Sequence, residues 1–197
     1  HHPDHHQFSN QLARVLRIPI ILSQDTLQRL TAKFGQQYFE NIELQTVSEN
    51  QQVTCWHGSA VRVYEIPGHD SGHLGLAPDS MAWFLVGDLI QGIGTVVIPS
   101  PEGDMATYFN TLKKVISLSP EVIIPSHGIP MRTTHRLEET LKHRLQRESQ
   151  ILKLHRSGKS RQEILSELYS ETDNRLHPAA MQNIESHLAK LRKENIL

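Results

Sequence analysis

The sequence predicts an α/β domain followed by a small helical one. Three observations lead there. Short apolar runs of strand length alternate with stretches of helical period. The strand-like runs end on His or Asp, usually beside Gly. The stretch from residue 135 onward is helical in pattern and basic in charge. We divide the 197-residue chain accordingly at 1–134 and 135–197, and its 38% hydrophobic content is enough for one core and a small appendage.

Taken in order, the chain opens on His1-His2-Pro3-Asp4-His5-His6. Phe8, Leu12, Val15 and Leu16 then fall at helical spacing, so a helix is expected over 7–17. Ile18 to Leu22 reads as a short buried strand. Residues 23–34 read as a second helix, with Ser23 as its cap and Leu27, Leu30 and Phe34 on one face. From residue 42 the period falls to two, predicting strands at 42–44, 53–56 and 61–66 that lead into Pro67-Gly68-His69-Asp70-Ser71-Gly72-His73. An apolar strand over 81–86 runs into Gly87-Asp88. A helix is expected over 104–118, and a strand over 122–125 ends at Ser126-His127-Gly128. The C-terminal portion reads as a long helix over 135–156, a turn at 157–160, a helix over 162–169 opened by the capping box Ser160 to Glu163, and a last helix over 178–194.

Four imidazoles and a carboxylate within six residues are too dense for a packing feature, because each buried polar ring needs a partner of its own. An expression tag would be an uninterrupted run, and Pro3 and Asp4 interrupt this one. Imidazole and carboxylate are ligands of zinc-type ions. Three further strand ends carry His69, Asp88 and His127, and four such loops point to one common centre. A carboxylate at the end of an apolar strand is costly to bury unless it is paired or holds a metal.

These four loops resemble the metallo-beta-lactamase fold, whose members carry His-X-His-X-Asp-His, a Gly-His loop, a Gly-Asp turn and a Gly-adjacent His. The matching stretches are His2-Pro3-Asp4-His5, Pro67-Gly68-His69, Val86-Gly87-Asp88 and Pro125-Ser126-His127-Gly128. The resemblance implies a partial αββα sandwich without its N-terminal strands, and a two-metal centre. One site would use His2 and His69 with a further His expected two places before His2. The other would use Asp4, His5 and His127, and Asp88 would bridge. It further implies a metal-dependent hydrolase in which metal-activated hydroxide attacks an ester, thioester or phosphodiester, with Asp4 orienting it and His73 buttressing the loop. The expected cofactor is a divalent metal, zinc first, with manganese or iron as alternatives. The family's upstream strands lie outside this sequence, so an uncovered edge, impaired activity, and homodimerisation or strand exchange are expected. His1, His6 and His57 are expected to be loop or surface residues.

Leu176-His177-Pro178-Ala179-Ala180-Met181 and Pro101-Glu102-Gly103-Asp104-Met105 resemble a branch of that family with a winged-helix-like C-terminal domain, which includes a lactamase-like endoribonuclease and hydroxyacylglutathione-hydrolase-like proteins. Residues 1–131 carry 7 Lys and Arg against 12 Asp and Glu, whereas residues 132–197 carry 13 against 9. The local excess makes Arg144, Arg147, Lys153, Arg156, Lys159, Arg161, Arg192 and Lys193 candidates for contact with RNA or DNA, and single-stranded RNA an alternative substrate to a small ester or thioester. In a rival scheme the chain is a catalytically silent nucleic-acid-binding or interaction module working through this tail. Net charge of −1 gives no global field for nucleic acid or membrane. No apolar run reaches the ~20 residues of a membrane span. The single Cys55 precludes an internal disulfide, fits a cytoplasmic or other reducing compartment, and reads as a strand residue rather than a nucleophile.

Overall fold

The computed structural model describes residues 1–197. Pro3–His6 (α1) and Ser9–Leu16 (α2) precede a parallel pair of short strands, Ile20–Leu22 (β1) and Leu44–Thr46 (β2). Between them lies Gln24–Phe34 (α3), whose N-cap Ser23 accepts from the Thr26 N–H and so satisfies one of the first-turn donors. Leu22, Leu30 and Phe39 form a small core beneath this layer.

A six-stranded sheet follows. Its strands Gln52–Trp56 (β3), Ser59–Glu65 (β4), Leu74–Pro78 (β5), Phe84–Gly87 (β6), Val122–Pro125 (β7) and Met131–Arg132 (β8) lie in sequence order. Every neighbouring pair is antiparallel except β6 and β7. Those two are joined by a crossover carrying Met105–Leu118 (α4), the kind of connection that parallel neighbours require. Asp104 caps α4 by accepting from the Thr107 N–H at 2.7 Å. Met105, Tyr108, Leu112 and Val115 of α4 then bury against Ile66, Phe84, Val86 and Ile123 of the sheet side.

Strand direction decides where the chemistry collects. Parallel β6 and β7 finish at the same edge, with Gly87 opposite Pro125, so Asp88 and His127 emerge side by side. Antiparallel pairing of β4 with β5 and of β5 with β6 brings the 66–73 loop to that edge as well.

The C-terminal residues form His135–Arg156 (α5), Arg161–Leu168 (α6) and His177–Lys193 (α7). The Ser160–Glu163 capping box is formed in both directions. Helix α5 serves two cores: Leu137 packs into the sheet core, while Ile151 packs with Ile164, Leu165, Ile184 and Leu188. No helix is long and apolar enough to cross a membrane.

Several expectations need correction. The first motif is a turn of helix, α1, rather than a loop, and the strand expected over 81–86 starts only at Phe84 because Met81 sits at a left-handed φ of 54°. Strand β5 lay hidden in Leu-Gly-Leu-Ala-Pro, where Gly and Pro mask strand character. Gly75 is needed there, since a Cβ would come within 2.6 Å of the Phe84 ring. The two-residue β8 was too short to show a period. On α2 the apolar stripe is real but uncovered, with Phe8, Leu12, Val15 and Leu16 all exposed.

Candidate metal centre

Asp4, His5, Asp88 and His127 place one ligand atom each within 4.8 Å of one another, and His2, His69 and Asp88 form a second such group. Asp88 belongs to both. His5 Nε2 lies 2.9 Å from Asp88 Oδ2, His127 Nε2 lies 3.1 Å from Asp4 Oδ2 and 3.5 Å from Asp88 Oδ1, and His69 Nε2 lies 3.7 Å from Asp88 Oδ2. His2 Nδ1 lies 3.2 Å from His69 Nε2. Residues from α1 and from the ends of three strands thus meet at one sheet edge, as the pairing of those strands requires.

The donors suit a divalent ion on their own chemistry. Asp88 is 7% exposed, and its Oδ1 is buried without a hydrogen-bond partner, a costly arrangement that an ion would relieve. His69 Nδ1 is 2.7 Å from the Val97 carbonyl oxygen. That oxygen can only accept, so the proton sits on Nδ1 and the Nε2 lone pair faces His2 and Asp88. Four imidazoles and a carboxylate around a second carboxylate form the mixed N/O donor set that zinc, iron and manganese share.

Electrostatics within the cluster are mutually adjusted. The hydrogen bond to Asp88 holds the His5 imidazole above its usual pKa, outweighing the opposing effect of burial. Burial alone would raise Asp88, yet the His5 hydrogen bond and the nearby His5, His69 and His127 rings bring it below the usual carboxylate value. Behind them, His73 accepts from the Asp88 N–H at 3.3 Å through Nε2. Gly87, at φ +53°, makes room for that ring, because a Cβ would lie 2.3 Å from His73 Nε2. His73 therefore supports the backbone of Asp88 and offers no ligand atom to either donor group.

Burial, with a further contribution from His69, depresses His73 from 6.5 to about 4. In the unfolded chain this ring protonates near 6.5, whereas in the folded chain it stays neutral down to about 4. Stability of the metal-free chain is therefore expected to fall as pH drops through that window, by roughly 3 kcal/mol in all. Urea melts at stepped pH check this, and a His73→Gln variant should lose most of that slope.

Some residues sit elsewhere than expected. His1 lies outside the helices and strands, as expected, but is not a free surface residue: its Nδ1 pairs with Asp70, which is 5% exposed and also accepts from the Gly72 N–H. His1, His2 and Asp70 form a third close donor group. Asp70 follows His69 directly, and its place in the same loop was the signal available for it. His6 is held by Tyr38, whose hydroxyl lies 2.6 Å from Nδ1. His57 is exposed, and Cys55 is an exposed residue of β3.

The basic residues of the C-terminal part are mostly occupied within the chain. Arg144 is 3% exposed, donates to the Val96 carbonyl and stacks near Tyr108, so it cannot reach a phosphate. Arg147 donates to the Leu168 carbonyl and lies over Tyr169. Lys159 pairs with Glu167, Arg161 with Glu185 and Lys193 with Asp104, while Arg156 donates to the Ile196 carbonyl. Lys153 and Arg192 remain exposed.

The family model for the metallo-beta-lactamase superfamily matches residues 1–127, the part that contains every donor above. The chain belongs to the metallo-beta-lactamase superfamily. A second model, the beta-lactamase associated winged helix domain, matches residues 160–196. Among curated proteins, a beta-lactamase-like protein 2 homolog of Drosophila melanogaster is 36% identical over 162 residues, 80% of this chain and 53% of that protein. A hydroxyacylglutathione hydrolase of Wigglesworthia glossinidia brevipalpis is 27% identical over 126 residues, 63% of this chain and 43% of that protein. This superfamily chain thus spans about half the length of those curated relatives. In fold it is similar to a beta-lactamase domain protein from Burkholderia ambifaria, with a TM-score of 0.70 at 19% identity over 90% of this chain and 60% of that one.

Proposed function

We propose that this chain carries the metal centre of a metal-dependent hydrolase acting on thioester or related ester bonds. One observation bears most of the weight: Asp88 is shared by two groups of imidazole and carboxylate donors and keeps a buried oxygen with no hydrogen-bond partner. In this scheme His2 and His69 hold one divalent ion, Asp4, His5 and His127 hold another, and Asp88 serves both. A bound divalent ion would lower the pKa of water to near 7 and polarise a carbonyl oxygen.

The chain's own residues supply the remainder. Asp4 has the most exposed carboxylate of the cluster and lies beside His127, so it can accept a hydrogen bond from an attacking water and orient it. Ile21, Leu22 and Leu74 are among the residues lining a cavity of about 200 Å³ that His1, His2, His5, His69 and Asp88 also line. Those three side chains offer an acyl group apolar surface beside the donors. Thioester is preferred over phosphodiester because a relative is named for hydrolysis of a hydroxyacylglutathione, and because most basic residues expected to meet RNA are engaged internally.

The test is to load the chain with Zn²⁺, Mn²⁺ or Fe²⁺ and assay a hydroxyacyl-glutathione thioester and a single-stranded RNA in parallel, with and without chelator. Thioester cleavage that disappears with the chelator is the expected result. Full metal loading with no thioester turnover, or turnover confined to RNA, overturns the substrate assignment.

A further inference from the structure

The backbone between Gln91 and Ile98 touches two ligand-bearing loops and both long C-terminal helices. At one end, the Gly92 N–H donates to the His127 carbonyl at 2.9 Å. At the other, the Val97 carbonyl accepts the His69 Nδ1 proton at 2.7 Å, and the next N–H along, that of Ile98, donates to the Asn183 side-chain oxygen of α7 at 3.0 Å. The Val97 carbonyl and the Ile98 N–H are the two ends of a single planar peptide group. A side chain of the C-terminal helical part and a donor of the metal centre therefore hold opposite ends of one amide.

We propose that Asn183 is a positioning residue for the metal ligand His69, acting through the Val97–Ile98 peptide. The proposal rests on the metal centre proposed above. A peptide whose N–H is engaged has a more polarised carbonyl, because hydrogen bonds in a chain strengthen one another. That carbonyl keeps the His69 proton on Nδ1 and fixes the plane of the ring, which directs Nε2 toward His2 and Asp88.

Two further contacts stop the peptide from turning. Ser186 donates its hydroxyl to the Ile98 carbonyl, and Arg144 donates to the Val96 carbonyl. Asn183, Ser186 and Arg144 are 6%, 4% and 3% exposed, so solvent cannot easily replace them. All three belong to α5 or α7. On this proposal the C-terminal helices are part of the machinery that orients a ligand far from them in the chain.

The experiment compares Zn²⁺ affinity, by competition with a chromophoric chelator, in the full 197-residue chain and three variants, with a thermal midpoint for each. Asn183→Ala is expected to bind Zn²⁺ about tenfold more weakly, the low end of the loss seen when an outer partner of a metal-bound His is removed. Asn183→Asp, which keeps an acceptor oxygen in place, is expected to restore affinity close to that of the unmodified chain. Leu188→Ala, which opens the C-terminal core on the same helix, is expected to lower the midpoint and leave affinity unchanged. Should Asn183→Ala fail to fold, Ser186→Ala releases the other side of Ile98 and carries the same expectation. Unaltered affinity in the Asn183→Ala or substitute variant, or an equal loss in Leu188→Ala, overturns the proposal. Absence of Zn²⁺ binding in the unmodified chain is a separate failure that removes the metal centre itself.

Discussion

Asp88→Ala is expected to strip the chain of tightly bound divalent metal at both donor groups. Asp88 is the one residue common to them, and its carboxylate lies within 3.7 Å of His5, His69 and His127. Within these two groups, any other single substitution removes a donor from one only. Since a bound ion contributes several kcal/mol of charge stabilisation, hydrolysis is expected to fall by about a thousandfold or more. Equilibrium dialysis with metal analysis reads the loss directly, and unchanged stoichiometry would refute the assignment. A second readout needs no metal. Removing the carboxylate removes the main cause of the raised His5 pKa, so the His5 titration followed by NMR should move down in the metal-free variant.

Glu148→Ala is expected to be strongly destabilising although it lies away from the metal centre. Glu148 accepts from His187 at 3.0 Å and from Lys190 at 2.7 Å, and His187 is fully buried. Burial works to raise the Glu148 pKa, but these two hydrogen bonds bring it below the ordinary glutamate value. Burial also depresses His187, so the ring is neutral near pH 7 and loses its acceptor in the variant. Lys190 retains Glu194 at 2.7 Å, which places the cost at about 3 kcal/mol, the low end for breaking a buried ionic cluster. For a chain of this size that is a fall of roughly 6–12 °C in thermal midpoint. A shift within experimental error would show that the cluster contributes little. Because the folded pKa of Glu148 is depressed, this contribution is present above the ordinary glutamate pKa and is lost as pH falls below it.

Much of the centre could be read from the order of residues, for a physical reason. Each donor sits where a strand or a helical turn ends, beside a glycine or proline that marks the end: Gly68 before His69, Gly87 before Asp88, Pro125 shortly before His127. Such punctuation is local and leaves a trace in sequence. Burial leaves none. Arg144 and Lys153 look alike in a basic helix, yet Arg144 is enclosed and bonded to the Val96 carbonyl while Lys153 faces solvent. His1 and His57 both read as incidental, yet His1 meets a buried carboxylate and His57 meets none.

The sequence by itself determined which side chains were available to bind a cation, the superfamily they resemble, and the helices of the C-terminal part, since periodicity, capping and motif spacing are properties of neighbouring residues. Only the tertiary structure decided that Asp88 is common to two donor groups, that His73 stands behind it, and that Asn183 shares a peptide with His69. Those facts depend on the direction in which β6 and β7 run and on how α7 packs across the 96–98 backbone, and contacts between residues so far apart in the chain have no local signature.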